Sequence, residues 1–162
     1  MLKFSRLAMP LLTVGLALGA FSAAASASVA SLSGSWASVN PNGPIPEILV
    51  TPAGGTKVTI EVFGQCEPSN CDWGKVDGST YSPTVSGNPI NDAVAATGYY
   101  QQGFAKRYVI LRQSGPDLTY EIFSAFEDGS GRNSYILMGR MHRVMHLMHL
   151  MAPGMMMKPL HQ

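Results

Sequence analysis

The sequence predicts an all-β fold, an antiparallel meander of about eight strands forming a small barrel, with a sandwich as the alternative. Three observations point there. Short stretches of alternating apolar and polar residues recur along the chain, turns rich in Gly and Pro separate them, and no convincing helical period precedes residue 140.

The elements follow in order. Strands are predicted near residues 34 to 39, 45 to 51, 56 to 64, 72 to 78, 92 to 100, 104 to 113, 117 to 126 and 133 to 142. Pro44, Pro46 and Pro52 flank or interrupt the second, so it reads as an edge or a bent strand. In the third, Val58, Ile60 and Val62 fall on one side and Lys57, Thr59 and Glu61 on the other, the pattern of a half-buried strand. Gly54-Gly55-Thr56-Lys57 before it lacks the spacing of a phosphate-binding loop and reads as a hairpin turn. Asp77 to Asn91, rich in Gly, Ser, Pro and Asn, reads as a long loop able to cover a barrel mouth. Arg107 to Arg112 is an apolar run bounded by charge, and Leu118 to Phe123 alternates again. Gln113 to Asp117 and Glu127 to Gly131 are turn chemistry, so the last four candidates form a meander.

Before the first strand, Lys3 and Arg6 precede an apolar run from Leu7 to Phe21 and then small residues from Ser22 to Ser28. That order predicts a secretory signal peptide over residues 1 to 27, cleaved after Ala27, with Ala30 as the second choice. The apolar run is shorter than the roughly 20 residues that cross a bilayer, so no stable membrane span is expected after cleavage. The remaining 135 of the 162 residues suit one barrel domain over residues 28 to 142 and a tail over 143 to 162, in a periplasmic or secreted protein.

Charge narrows the partners. Without Lys3 and Arg6, nine basic groups face ten acidic ones, which gives no electrostatic case for nucleic acid. The two cysteines, Cys66 and Cys71, are delivered by the leader to an oxidising compartment where a disulfide is expected. Its small loop contributes about 2 kcal/mol. Four intervening residues are too many for a redox CxxC pair, and a zinc site needs two more ligands nearby.

Two resemblances bear on the fold. Gly34-Ser35-Trp36 opening the first strand and Arg140 in the last resemble calycin barrels, lipocalins and avidins among them, in which a Trp closes one end and an Arg packs across it. Cys66-Glu67-Pro68-Ser69-Asn70-Cys71-Asp72-Trp73-Gly74 resembles the Cys-x-Pro-[Ser/Thr]-x-Cys-Asp-Trp-Gly signature of small exported bacterial β domains, a group without an established activity. That likeness, over roughly residues 33 to 141, implies structural roles for Gly34, Trp36, Asp72, Trp73 and Gly74 and for the disulfide, and the calycin likeness implies one for Arg140. Such domains usually stop soon after the final strand, whereas this chain continues.

The continuation is distinctive. Eight of the ten methionines lie between Met138 and Met157, and all four histidines between His142 and His161. On a helix His142, His146 and His149 share one face, with Met141, Met145 and Met148 beside them. Thioether and imidazole suit Cu(I) or Ag(I), so His142, Met145, His146, Met148, His149 and Met151 are the candidate ligands and copper the candidate cofactor. Zinc through three histidines is the alternative metal. No carboxylate follows Asp128, which argues against hard cations. The competing readings are a Met-rich helix packing on the barrel, an incidental tail, and a membrane-surface segment.

No enzyme is expected. Histidine is absent from residues 28 to 141, so a Ser-His-Asp or Cys-His site would have to borrow from the tail. Asp72, Asp77 and Asp92 read as solvated loop acids. The function expected is binding: a soft metal at the tail, or alternatively a small ligand or a secreted enzyme at a calycin-like barrel.

Overall fold

The computed structural model describes residues 28 to 145; the predicted signal peptide and most of the Met/His tail lie outside them. Eight strands form one closed antiparallel barrel: β1 (Gly34–Ser38), β2 (Glu47–Pro52), β3 (Lys57–Gly64), β4 (Cys71–Tyr81), β5 (Ala95–Gln101), β6 (Ala105–Ser114), β7 (Asp117–Phe126) and β8 (Tyr135–Arg143). Each strand pairs with the next, and β8 returns to β1 through Trp36 opposite Arg143, Ala37 opposite His142 and Ser38 opposite Met141. Closure leaves no free sheet edge. The expected barrel, and not the sandwich alternative, is therefore the observed fold.

The two-residue period sends one set of side chains inside. Trp36, Ile48, Val58, Ile60, Val62, Val109, Leu111, Leu118, Ile122 and Met141 are all completely buried and form a single core. Tyr100 and Tyr120 fill the space between them at 1% and 2% exposure. The barrel is filled with side chains, not hollow along its length.

Three local expectations change. The loop begun at Asp77 starts later, because β4 pairs with β3 up to Ser79 and then with β5 through Tyr81. Its inward positions there are Gly78 and Thr80, which carry no apolar signal. A short helix, α1 (Val29–Leu32), precedes β1 and was not predicted; it is a single turn held by a Ser28–Ser31 capping box. His142, the first member of the expected helical face, lies in β8, because the ladder that closes the barrel draws in Met141, His142 and Arg143; His146 and His149 lie outside the described residues.

One end of the barrel is closed. Trp36 Nε1 donates to the Leu32 carbonyl at 2.9 Å, and Leu32 itself is completely buried. Val29 N–H donates to Ile90 O at 3.2 Å, which ties α1 to the β4–β5 segment, where Ala93 is buried. The arginine across Trp36 is Arg143, 4.4 Å from the ring centroid, not Arg140. Arg140 has the opposite parity in β8, stands on the outer wall and lies 3.8 Å from Asp117. Gly34 opens β1 opposite Val50 at this end.

Candidate functional site

The opposite end carries the disulfide. Cys66 and Cys71 are bonded across the β3–β4 connection, as expected from the sequence. Directly after Cys71 the ladder is irregular: Lys75 opposes Glu61 and Asp72 opposes Phe63, so Trp73 and Gly74 together stand against Val62. This is a β-bulge, and Gly74 adopts φ +81°, a conformation that favours glycine. The extra residue reverses the inside-outside alternation of β4. Trp73 thereby turns over the barrel end, edge-on to Tyr100 with 6.0 Å between ring centroids. Asp72 Oδ1 accepts the Gly74 N–H at 2.7 Å and fixes the turn. The Cys-Asp-Trp-Gly run thus positions one wall of a site.

That site is an open cavity of about 590 Å³. Its apolar walls are Trp73, Phe104, Tyr135 and Leu137, and the Cys66–Cys71 bridge lies on the rim beside Asp72. A cavity of this size, mainly apolar with a few polar groups, is the form small-molecule sites take. Its polar component is Arg107, which projects inward from β6 and is 6% exposed. The guanidinium carbon sits 4.3 Å from the Trp73 ring centroid and 5.1 Å from that of Phe104. Such contacts offset part of the cost of burying the charge.

Hydrogen bonding there is incomplete. Nε and Nη1 of Arg107 are buried and have no acceptor. Ser124, directly opposite Arg107 on β7, is 2% exposed and its Oγ has no partner. Gln102 donates to the Trp73 carbonyl at 3.1 Å, but its Oε1 is unpartnered. Buried polar groups are nearly always paired in folded proteins, so these three residues at one barrel end stand out; Asp92 Oδ1 and Gln113 Oε1, near the other end, are likewise unpartnered. The sequence reading treated Arg107 as a charge bounding a strand. Its parity with Val109 and Leu111 fits an inward side chain, but Tyr108 and Ile110 make the other face of β6 apolar as well, so the sequence left the choice open.

A second depression, about 630 Å³, lies on the outer wall between Asp77, Thr97, Tyr99, Tyr108, Ile110 and Phe123. Tyr99, Tyr108, Phe123 and Ile136 form a cross-strand row over four strands. None of its lining side chains holds a buried, unpartnered polar atom.

The two candidate metal ligands among the described residues, His142 and Met145, do not line the cavity. His142 is exposed on the outer wall, where it pairs through its backbone with Ala37, and Met145 is 84% exposed just beyond β8. His146, Met148, His149 and Met151 lie outside the described residues. Among the described residues no group of three His, Cys, Asp or Glu side chains converges. No helix among them is long and apolar enough to cross a membrane.

Comparisons with protein-family models, with curated proteins and with solved structures found no match for this chain.

Proposed function

We propose that the chain is an exported, non-enzymatic binding protein whose barrel takes a small organic ligand at the disulfide-bearing end. The observation that carries this reading is the contrast between the two ends. One is plugged by α1, Trp36 and Arg143. The other opens into an aromatic-walled cavity lined by Arg107, a buried cation without a carboxylate partner among the described residues. Because the interior is filled, the ligand seats at the rim and not deep in the barrel, in contrast to a deep-cupped carrier. The disulfide suits work in an oxidising compartment.

The test is titration of the full chain with N-phenyl-1-naphthylamine, a neutral probe that brightens in apolar sites. One saturable site is expected, lost in Leu137→Trp, which fills the cavity from β8. Unchanged probe binding in that variant would place the site elsewhere.

A second reading concerns the tail. The confinement of eight methionines and four histidines to the last 25 residues supports capture of Cu(I) by the tail, with His142 and Met145 as its barrel-proximal members. Competition against a chromophoric Cu(I) chelator is expected to show binding by the full chain and none after deletion of residues 146 to 162. Equal copper uptake by both would sink this reading.

A further inference from the structure

We infer that the ligand of the disulfide-end cavity carries a carboxylate, received by Arg107, on a planar apolar body that lies among Trp73, Phe104 and Tyr135. The inference rests on the reading of this cavity as a ligand site and adds the chemical class of what enters it.

Arg107 carries an uncompensated charge. A guanidinium is permanently charged in proteins, and a buried charge is normally paired. Arg107 is 6% exposed, yet among the described residues no carboxylate lies within ion-pair distance of it. The other arginines among the described residues differ. Arg112, Arg132 and Arg140 reach Glu121, Asp128 and Asp117 at the surface, and Arg143 donates to the carbonyls of Ser31 and Ser33. Asp72, the acid on the cavity rim, is engaged by the Gly74 N–H and makes no such pair. Arg107 thus lines the cavity as a buried charge without a counter-ion, its Nε and Nη1 enclosed without an acceptor.

The fork geometry selects the anion. A guanidinium offers parallel N–H groups that match the two oxygens of a carboxylate, and the bond strengthens where water is excluded. Gln102, on the neighbouring connection and in the cavity lining, supplies a further polar group whose Oε1 has no partner. The aromatic walls then select what bears the carboxylate. Trp73, Phe104 and Tyr135 offer π faces and edges to a flat apolar body, and Leu137 closes the floor.

The experiment compares 2-naphthoate with 2-naphthylmethanol, an acid and a neutral alcohol of one shape, by calorimetric titration of the full chain. The acid is expected to bind about 10- to 100-fold more tightly, the discrimination of a charge-assisted hydrogen bond. Arg107→Met is expected to reduce the acid to the affinity of the alcohol and leave the alcohol unchanged. Arg107→Lys keeps the charge and loses the fork, which guards against a methionine variant that does not fold; its preference for the acid is expected to shrink without vanishing. Equal affinities in the native chain would overturn the carboxylate assignment while the cavity stood, as would failure of both compounds with N-phenyl-1-naphthylamine still bound. Failure of all three would overturn the ligand site itself. A preference unchanged in both variants would remove Arg107 from it.

Discussion

The guanidinium of Arg143 lies 4.4 Å from the centroid of the Trp36 indole while its two terminal nitrogens donate to the carbonyls of Ser31 and Ser33. One side chain joins the last strand to the first and to the turn before it, at the ladder position where the barrel closes. Arg143→Met is expected to destabilise the fold by about 2–3 kcal/mol, the scale of lost charge-assisted bonds and a cation–π contact. Arg140→Met, on the outer wall, is expected to change stability by about 0.5 kcal/mol or less. Urea denaturation followed by tryptophan fluorescence separates the two. Equal losses would refute the closing role of Arg143.

The Cys66–Cys71 bridge spans a sequence separation of 5, so its loop is short. Removing it by Cys66→Ser with Cys71→Ser is expected to lower stability by about 2 kcal/mol. The effect extends to binding, because the bridge lies on the cavity rim and Asp72, Trp73 and Gly74 follow it immediately. Denaturation midpoints with and without reductant, alongside N-phenyl-1-naphthylamine titration, measure both. A reduced chain of unchanged midpoint and probe affinity would contradict the assignment.

The barrel was legible where alternation was one-sided and turns were chemically marked. Residues 117 to 126 were predicted as a strand, and β7 is Asp117–Phe126. The site was legible only in part. The Cys-Asp-Trp-Gly run flagged Trp73, but Arg107 was missed because β6 is apolar on both faces: Val109 and Leu111 point inward, while Tyr108 and Ile110 occupy the outer wall. Parity alone therefore did not say which end charge turns in. The same ambiguity in β8, with Ile136 and Met138 outside and Met141 inside, obscured the choice between Arg140 and Arg143. Register across the closing ladder decides both, and register is a property of pairing that a single strand does not contain.

Tyr100 predicts an alkaline limb. Its hydroxyl donates to the Ile60 carbonyl at 2.8 Å. Burial pushes the phenol well above the ordinary tyrosine range, and the nearby Glu61 and Asp72 carboxylates push the same way. The folded state therefore keeps a proton that the unfolded chain releases near pH 10. The stability from this group is fully present below that pH and is lost as pH rises above it. Tyr100→Phe is expected to cost about 1 kcal/mol at neutral pH and to flatten the decline above pH 10. Denaturation midpoints from pH 8 to pH 12 test this, and parallel declines in both proteins would remove Tyr100 as the source.

Gly139 and Tyr120 face each other across β7 and β8, inside the barrel. A Cβ at position 139 would stand 2.6 Å from the Tyr120 hydroxyl oxygen and 2.7 Å from the ring carbons beside it. Tyr120 is 2% exposed and packed within the core, so it has little room to give way. Gly139→Ala is therefore expected to destabilise by about 1–3 kcal/mol through overpacking. Because the cause is one contact, the loss depends on the ring: with Tyr120→Leu in the background, alanine at 139 meets a shorter side chain and its cost is expected to shrink. The double-mutant cycle should return a coupling of about 0.5–3 kcal/mol between the two positions, measured by urea denaturation. Additive losses would show that glycine is required at 139 by its backbone alone and not by the tyrosine laid over it.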